Sequence, residues 1–213
     1  MKRPTLKSLE AIVGTLSVPS KMPCFGYSIP AAYCIVGGRI SKDPKSTCAS
    51  CYAKKGRYIF PNVLAAMEKR FQSLKNIDLW EETMTELIGR KEKSEWFRWH
   101  DSGDLQSVEH LNAIVNIANN LPHIEFWIPS REYKFVRDWK LKNGKFPKNL
   151  IIRLSAYFRG KAAKARYLED LPTSTVGWKE SPHECPAQHQ GNQCGDCRAC
   201  WDPKTPNVDY PLH

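Results

Sequence analysis

The chain has 213 residues, of which 41% are hydrophobic and 11% aromatic, so it can bury one proper core. This composition excludes disorder across the whole chain. The net charge of +10 and the pI near 9.2 favour an anionic partner such as nucleic acid or a nucleotide, although an ordinary solvated basic surface has the same composition.

Neither a membrane span nor a signal peptide is visible in the sequence. No segment approaches the roughly 20 consecutive apolar residues that cross a bilayer. The basic N-terminal segment has no apolar stretch of the kind that follows it in a signal peptide. We therefore expect no membrane association and a reducing cytosol, where clustered thiols bind metals more often than they form disulfides.

Eight cysteines form two groups near opposite ends of the chain, and residues 52–184 contain none. The members are Cys24, Cys34, Cys48 and Cys51 in the first group, and Cys185, Cys194, Cys197 and Cys200 in the second. Two residues between cysteines allow a tight turn to direct both sulfurs at one ion or cluster. The pattern therefore predicts two metal sites, with structural disulfides as the alternative.

The two groups are suited to different sites. Three thiolates on a four-iron, four-sulfur (4Fe–4S) cluster leave one iron open to a substrate or cofactor, whereas four thiolates close the site. We expect an open set in the first group, with Cys24 spare; a metal bound to Cys24 would instead close it. The second group suits a closed site, either a second 4Fe–4S cluster or tetrahedral zinc, for which His183 and His189 are alternative ligands.

Helices and strands alternate between the two cysteine groups. The predicted elements, in chain order, are helices at 62–75 and 78–90, a strand at 96–100, a helix at 107–121, a strand at 124–128, a helix at 131–142, a strand at 150–154, a helix at 161–168 and a strand at 173–176. Before them, residues 18–50 are typical of an irregular loop with a short strand at 34–37.

This alternation predicts βα units, and therefore an α/β fold with a mostly parallel sheet or partial parallel βα barrel. We expect an α/β domain over residues 1–178 with its cysteine loop at 24–51. A cysteine-rich, metal-binding segment follows over residues 179–213.

Polar residues follow the three central predicted strands. Because the carboxyl ends of parallel strands meet at one rim, we expect these side chains to converge there. They are His100, Asp101, Ser102, Gly103 and Asp104 after the first strand, Ser130 and Arg131 after the second, and Ser155 after the third.

The turn at residues 100–104 is the most polar strand end in the chain. His100 and Asp101 are candidate catalytic residues, and its carboxylates can hold an ammonium group or a ribose. Gly103 allows a close backbone approach to a ligand. The structural alternative is a turn in which Asp104 caps the next helix. A metal-dependent hydrolase using this turn is a further possibility, ranked last because no second histidine cluster is present.

Three other side chains are candidate ligand contacts. Arg131 is a candidate catalytic residue that can clamp a carboxylate or phosphate through two parallel hydrogen bonds, or else forms a surface pair with Glu132. Ser155 can donate a hydrogen bond to a ligand, or else simply ends its strand. Tyr52 is close to the basic residues at 54–57 and is placed to meet a ligand.

Four segments together resemble the phage family called gene product eighty-eight, over residues 24–213. They are CASCYA at 48–53, RWHDSGD at 98–104, WIPSRE at 127–132 and CGDCRACWD at 194–202. The resemblance implies a phage or prophage source, and hence the cytoplasm of the bacterial host.

The segment that ends in Cys51-Tyr52-Ala53 is also similar to the C-terminal end of the cysteine-bearing loop in radical S-adenosylmethionine (radical SAM) iron–sulfur enzymes. That resemblance implies a radical SAM-like partial barrel, a 4Fe–4S cluster on Cys34, Cys48 and Cys51, and S-adenosylmethionine as a cofactor. It places residues 101–104 at the methionine end of that cofactor. In those enzymes the cysteines are compact, whereas thirteen residues separate Cys34 from Cys48 here.

We therefore expect a phage-encoded iron–sulfur enzyme, radical SAM-like, that acts on nucleic acid or a nucleotide. Tyr52, Ser130, Arg131 and Ser155 are expected to line its cofactor cavity. The rival hypothesis is a non-enzymatic, metal-stabilised protein that binds nucleic acid or a host component. In that protein both cysteine groups are closed structural sites.

Overall fold

The computed structural model describes residues 3–212, which form a mixed α/β fold around one sheet. The helices are α1 (Leu6–Val13), α2 (Ile35–Ile40), α3 (Pro61–Ser73), α4 (Ile77–Lys91), α5 (Val108–Asn120) and α6 (Tyr133–Asn143). The strands are β1 (Gly26–Tyr27), β2 (Trp96–Trp99), β3 (Glu125–Ser130), β4 (Leu150–Ser155), β5 (Thr173–Val176) and β6 (Asn207–Tyr210).

The six strands are all parallel and lie in the order in which they occur along the chain. Because parallel crossovers are almost always right-handed, this order carries the connecting helices to the same face of the sheet. The predicted α/β class and parallel sheet are confirmed. β1 and β6 are the two edges, and no pairing between them closes a barrel within residues 3–212.

One face of the sheet packs against the helices and forms the main core. Its strand residues alternate with residues of the opposite face, as the pleat requires. The core includes Phe97 and Trp99 of β2, Phe126 and Ile128 of β3, Ile152 and Leu154 of β4, Trp80 of α4, Leu111 of α5 and Val136 of α6. Among the described residues, no helix is long and apolar enough to cross a bilayer.

The opposite face, called here the cysteine face, carries Trp96 and Arg98 of β2, Trp127 of β3 and Arg153 of β4. Trp127 packs there with Trp201 and Cys24 in a separate apolar cluster. The residues that cover it include Met22 and Cys24 from the segment before β1, and Cys200 and Trp201 from the cysteine-rich segment between β5 and β6. β6 also pairs with β5, so the C-terminal cysteine segment is tied into the sheet at both of its ends.

Arg153 holds this C-terminal segment on the cysteine face. Its side chain is fully buried. It donates hydrogen bonds to five carbonyl oxygens, four of them in the C-terminal segment; the acceptors are Thr173, Ala199, Cys200, Asp202 and Thr205. A single arginine from the middle of the sheet therefore satisfies most of the backbone acceptors of one loop.

Most predicted elements between residues 61 and 155 are confirmed within two residues of their ends. α5 begins as expected, because the hydroxyl of Ser107 accepts a hydrogen bond from the backbone N–H of His110. α4 begins one residue earlier than predicted, because the side chain of Asn76 caps it. β3 continues through Pro129, which costs little because the pairing with β2 ends at Trp127.

Two predicted elements are wrong. Residues 34–37 were expected to form a strand, but Cys34 is the N-cap of α2, whose Val36 N–H donates to the Glu132 carboxylate over 2.8 Å. Residues 161–168 were expected to be helical but are irregular. The chain enters this stretch with the Gly160 N–H bonded to the Val176 carbonyl, so tertiary contacts override helix propensity.

Candidate functional site

Cys34, Cys48 and Cys51, called here the cysteine triad, lie together at the carboxyl end of the sheet. Gly37 packs between two of them: a Cβ atom added there would lie 3.1 Å from Cys34 Cβ and 3.4 Å from Cys48 Sγ. Burial raises the pKa of the Cys34 thiol, and the neighbouring Asp104, Cys51 and Cys48 raise it further. The triad is half-buried, with each cysteine partly accessible.

Thr47 fixes the triad loop to the sheet. Its backbone N–H donates to the Tyr157 carbonyl over 2.9 Å, and its hydroxyl donates to the Ala156 carbonyl over 3.0 Å. Both acceptors follow the carboxyl end of β4 directly. The loop is therefore held at the rim where parallel α/β folds place their functional groups.

Arg131 lies beside the triad. Its Nε donates to the Thr47 hydroxyl over 3.0 Å, and its positive charge opposes the burial that raises the pKa of Cys48. The surface pair with Glu132 is not formed, because Glu132 is buried and accepts the Val36 N–H at the start of α2. Burial raises the pKa of Glu132 to about 7.

Asp104 joins the ends of β2 and β3. Its buried carboxylate accepts hydrogen bonds from Ser130 Oγ over 2.7 Å, from the Arg131 N–H over 2.9 Å and from the Leu105 N–H over 2.8 Å. It does not cap α5, a role that Ser107 takes. Burial raises the pKa of Asp104. Asp104 is therefore an anionic support beneath Arg131 and the triad.

Asp101 connects the first cysteine loop to the strand ends. Its carboxylate accepts from Ser28 Oγ and, over 2.8 Å, from the Tyr58 hydroxyl. Its carbonyl oxygen accepts from the Tyr52 hydroxyl, while the Tyr52 side chain remains 47% exposed. Tyr52 and Asp101 therefore belong to the same rim as the triad.

The turn between these carboxylates is tightly packed. Gly103 has φ +85°, and its α-carbon lies against Ile29 with no room for a side chain. The Ser102 carbonyl oxygen accepts a hydrogen bond from the Ile29 N–H over 3.1 Å. The Ser102 hydroxyl is buried without a hydrogen-bond partner among the described residues. The Ser155 hydroxyl is less available to a ligand, because it is hydrogen-bonded to the Ser174 hydroxyl over 3.0 Å.

His100 lies apart from the other candidate catalytic residues. Its positive φ of +53° turns the ring into the core, where its centroid lies 5.3 Å from that of His110. Neither ring nitrogen of His100 has a hydrogen-bond partner among the described residues. The structure therefore brings Asp101, Asp104 and Arg131 to one rim without His100, and no hydrolase-like set of His100 with both carboxylates forms.

We expect the two buried histidines to make stability depend on pH. Burial lowers the pKa of His110 to about 3 and that of His100 well below its usual value, and both face Trp80 or Trp99 with no carboxylate partner. A histidine in the unfolded chain has a pKa of about 6.5. The stabilising contribution of each buried histidine is therefore fully present above that pH, and it is lost as the pH falls toward the lower pKa of the folded state. Each histidine contributes up to about 1.4 kcal/mol per pH unit.

The check is urea unfolding at several pH values between about 7 and 5, for the wild type and for His110→Leu. The leucine variant should show a shallower fall of the unfolding free energy with acid. An unchanged slope would contradict a neutral, buried His110.

The second cysteine group surrounds a small cavity on the cysteine face. The cavity is lined by Cys185, Cys194, Cys197 and Cys200, together with His183 and Trp201. Cys24 lies with this group, because it packs against Trp127 and Trp201. Burial raises the pKa of Cys24, and the nearby Cys194 raises it further. Its position in the chain predicted that Cys24 would group with the triad. In the fold, Cys24 lies apart from the triad.

In the ligand-free arrangement, no three histidine, cysteine or carboxylate side chains of residues 3–212 meet at the spacing of a bound metal ion. Metal binding at either group therefore requires the thiols to rotate toward one another. Each thiol can be redirected by rotation about its χ1 bond.

Sequence reasoning missed several residues that support the rim. Ser28 and Thr47 have no distinctive sequence signal, since their partners lie far along the chain. Arg98 and Arg153 do have one, because each interrupts an otherwise apolar or aromatic strand. A charged residue inside a buried strand signals a polar partner on that face.

Comparison with protein-family models matches residues 2–203 to the family described as Gene product 88. No curated protein matches the chain, and no solved structure matches it either. The expected resemblance to this family is confirmed. The resemblance to radical SAM enzymes is supported by none of these comparisons.

Proposed function

The chain belongs to the gene product 88 family, and we propose that it is an iron–sulfur enzyme of the radical SAM type. Membership of this family supports the expected phage origin. The proposal rests on one observation: Cys34, Cys48 and Cys51 group at the carboxyl end of a parallel sheet, whereas Cys24 lies elsewhere.

Three cysteine ligands are what an open cluster needs. A 4Fe–4S cluster held by the triad would supply one iron without a protein ligand, and one electron, to S-adenosylmethionine. The rival hypothesis of a closed first site needs Cys24 as the fourth ligand. Cys24 is buried between Trp127 and Trp201, which counts against that rival.

The neighbouring side chains suit a zwitterionic amino-acid group. Arg131 presents a guanidinium to a carboxylate, and the buried Asp104 holds the Arg131 backbone in place. The Ser102 hydroxyl is buried, and it has no hydrogen-bond partner among the described residues. Tyr52 shields one side of the rim through its bond to Asp101. These residues would bind and orient the cofactor, and none of them needs to move far.

A basic surface lies next to the rim and supports a polyanionic substrate. Lys54, Lys55 and Arg57 are exposed, and they follow Tyr52 directly in the chain. Electrostatic attraction would concentrate nucleic acid or a nucleotide at this edge. We therefore include a nucleic-acid or nucleotide substrate in the proposal.

The test is Cys48→Ala in protein purified without oxygen. We expect it to lose about four iron and four sulfide per chain and to abolish reductive cleavage of S-adenosylmethionine. The matched control is Ser50→Ala, because Ser50 is exposed in the same loop. It should keep both the iron and the cleavage.

Retained cleavage in Cys48→Ala would rule out the cluster assignment. The substrate class is tested in the same assay by adding a single-stranded oligonucleotide or a nucleotide to the wild type. A faster cleavage rate would support the nucleic-acid or nucleotide part of the proposal. An unchanged rate with both would remove that part alone.

A further inference from the structure

The four cysteines of the second group line one small cavity, and two arginines lie nearby. Its four cavity-lining thiols come from two loops of the C-terminal segment. We propose that Cys185, Cys194, Cys197 and Cys200 bind a closed metal–thiolate centre of net negative charge. We also propose that Cys24 is its buried neighbour and not a ligand.

Backbone hydrogen bonds hold three of these cysteines in place. The Cys185 N–H donates to the Asp209 carbonyl of β6 over 2.8 Å. The Cys194 N–H donates to the Lys21 carbonyl over 2.8 Å, and the Cys197 N–H donates to the Cys194 carbonyl over 3.0 Å. The loops are therefore fixed to a strand edge and to the N-terminal segment, which leaves only the thiols to adjust.

Two arginines lie next to the thiols, Arg98 partly buried and Arg153 fully buried. Arg98 stacks its guanidinium over Trp127 at 4.5 Å, and its Nε is buried without a partner. Arg153 is fully buried and bonds only to carbonyl oxygens, including that of Cys200. Neither arginine forms a salt bridge within residues 3–212.

A carboxylate lies near each arginine but does not pair with it. Asp101 lies near Arg98 and Asp202 lies near Arg153, and both carboxylates accept their hydrogen bonds from other groups. Burying a guanidinium without a close opposite charge is costly. Neutral thiols would leave the two guanidinium groups with only these more distant carboxylates. Four thiolates on zinc, or on a 4Fe–4S core, would place a net negative charge beside both.

Cys24 does not complete this ligand set. It is absent from the residues that line the cavity, and it packs against the Trp127 and Trp201 rings. The four remaining cysteines already satisfy a tetrahedral ion or a cluster. Cys24 therefore contributes apolar packing behind Cys194, as a buried free thiol commonly does.

The experiment measures zinc, iron and acid-labile sulfide in full-length protein purified without oxygen. Cys197→Ser should lose either one zinc or about four iron with four sulfide per chain. Cys24→Ser, the matched control, should lose neither. An unchanged metal content in Cys197→Ser would overturn the proposal, and so would an equal loss in Cys24→Ser.

A second variant keeps the proposal testable if Cys197→Ser fails to fold. The triple variant Cys34→Ala, Cys48→Ala, Cys51→Ala removes the triad and leaves the second group intact. Zinc or iron retained by this variant supports the second centre, and a metal-free, folded protein overturns it. The proposed enzyme function fails on different results, namely a triad without a cluster or a triad cluster that does not cleave S-adenosylmethionine.

Discussion

We expect Gly103→Ala to lower the free energy of unfolding by about 2–5 kcal/mol, the sum of two penalties. A side chain at its φ of +85° costs about 1–2 kcal/mol. The new Cβ would also overlap Ile29 Cγ1 and would lie 2.8 Å from the Ile29 carbonyl oxygen. Relieving that overlap requires the segment after β1 and the turn to separate, at a cost of about 1–3 kcal/mol.

Gly144→Ala separates the two penalties. Gly144 has a similar φ of +90°, but no atom lies within 4 Å of the position of its Cβ. Its variant should lose only about 1–2 kcal/mol in urea unfolding. Equal losses in the two variants would show that the packing of Gly103 against Ile29 contributes nothing.

The second large effect is expected for Arg153→Met. Methionine keeps much of the volume of arginine but donates no hydrogen bond, so it leaves five carbonyl oxygens without their side-chain donor. Each buried acceptor left unsatisfied costs about 1–3 kcal/mol, so the total loss should be at least about 3 kcal/mol. The C-terminal segment should loosen before the sheet unfolds.

Limited proteolysis and tryptophan fluorescence check this order. Cleavage should move to the connection between β5 and β6, and the emission of the buried Trp201 should shift to longer wavelength. Arg137→Met is the control, because Arg137 is exposed and pairs only with Asp138. It should change the unfolding free energy by less than about 1 kcal/mol. A similarly small effect of Arg153→Met would contradict its role as the anchor of the segment.

The sequence allowed the sheet to be predicted because its strands and helices carry strong periodic patterns. The strands at 96–99, 125–130 and 150–155 are rich in aromatic and β-branched residues, and the helices between them have clear apolar faces. β1 and β6 were not predicted. Gly26–Tyr27 is too short to have a pattern, and the cysteine-rich composition before Asn207 masks the final strand.

The rim was predictable only as a set of strand ends. Parallel topology places Asp101, Asp104 and Arg131 at the same edge, and the structure agrees. Side-chain direction was not predictable. The His100 side chain points away from the rim because its φ is positive. No local sequence pattern predicts this backbone conformation.

The grouping of Cys24 shows a different limit. Chain distance places it with Cys34, but the sheet face on which it packs is decided by Trp127 and Trp201. Those tryptophans are far away in sequence, so no spacing rule predicts the contact. Sequence proximity is a good guide to cysteine grouping within one loop, and a poor guide when a strand intervenes.

The covering of the cysteine face by the C-terminal segment also determines the order of events during synthesis. Trp127 and Cys24 leave the ribosome well before Trp201 and β6, which bury them. The nascent chain therefore carries an open aromatic surface until Trp201 and β6 have been synthesised and can cover it. Chains terminated before Trp201 should be prone to aggregation.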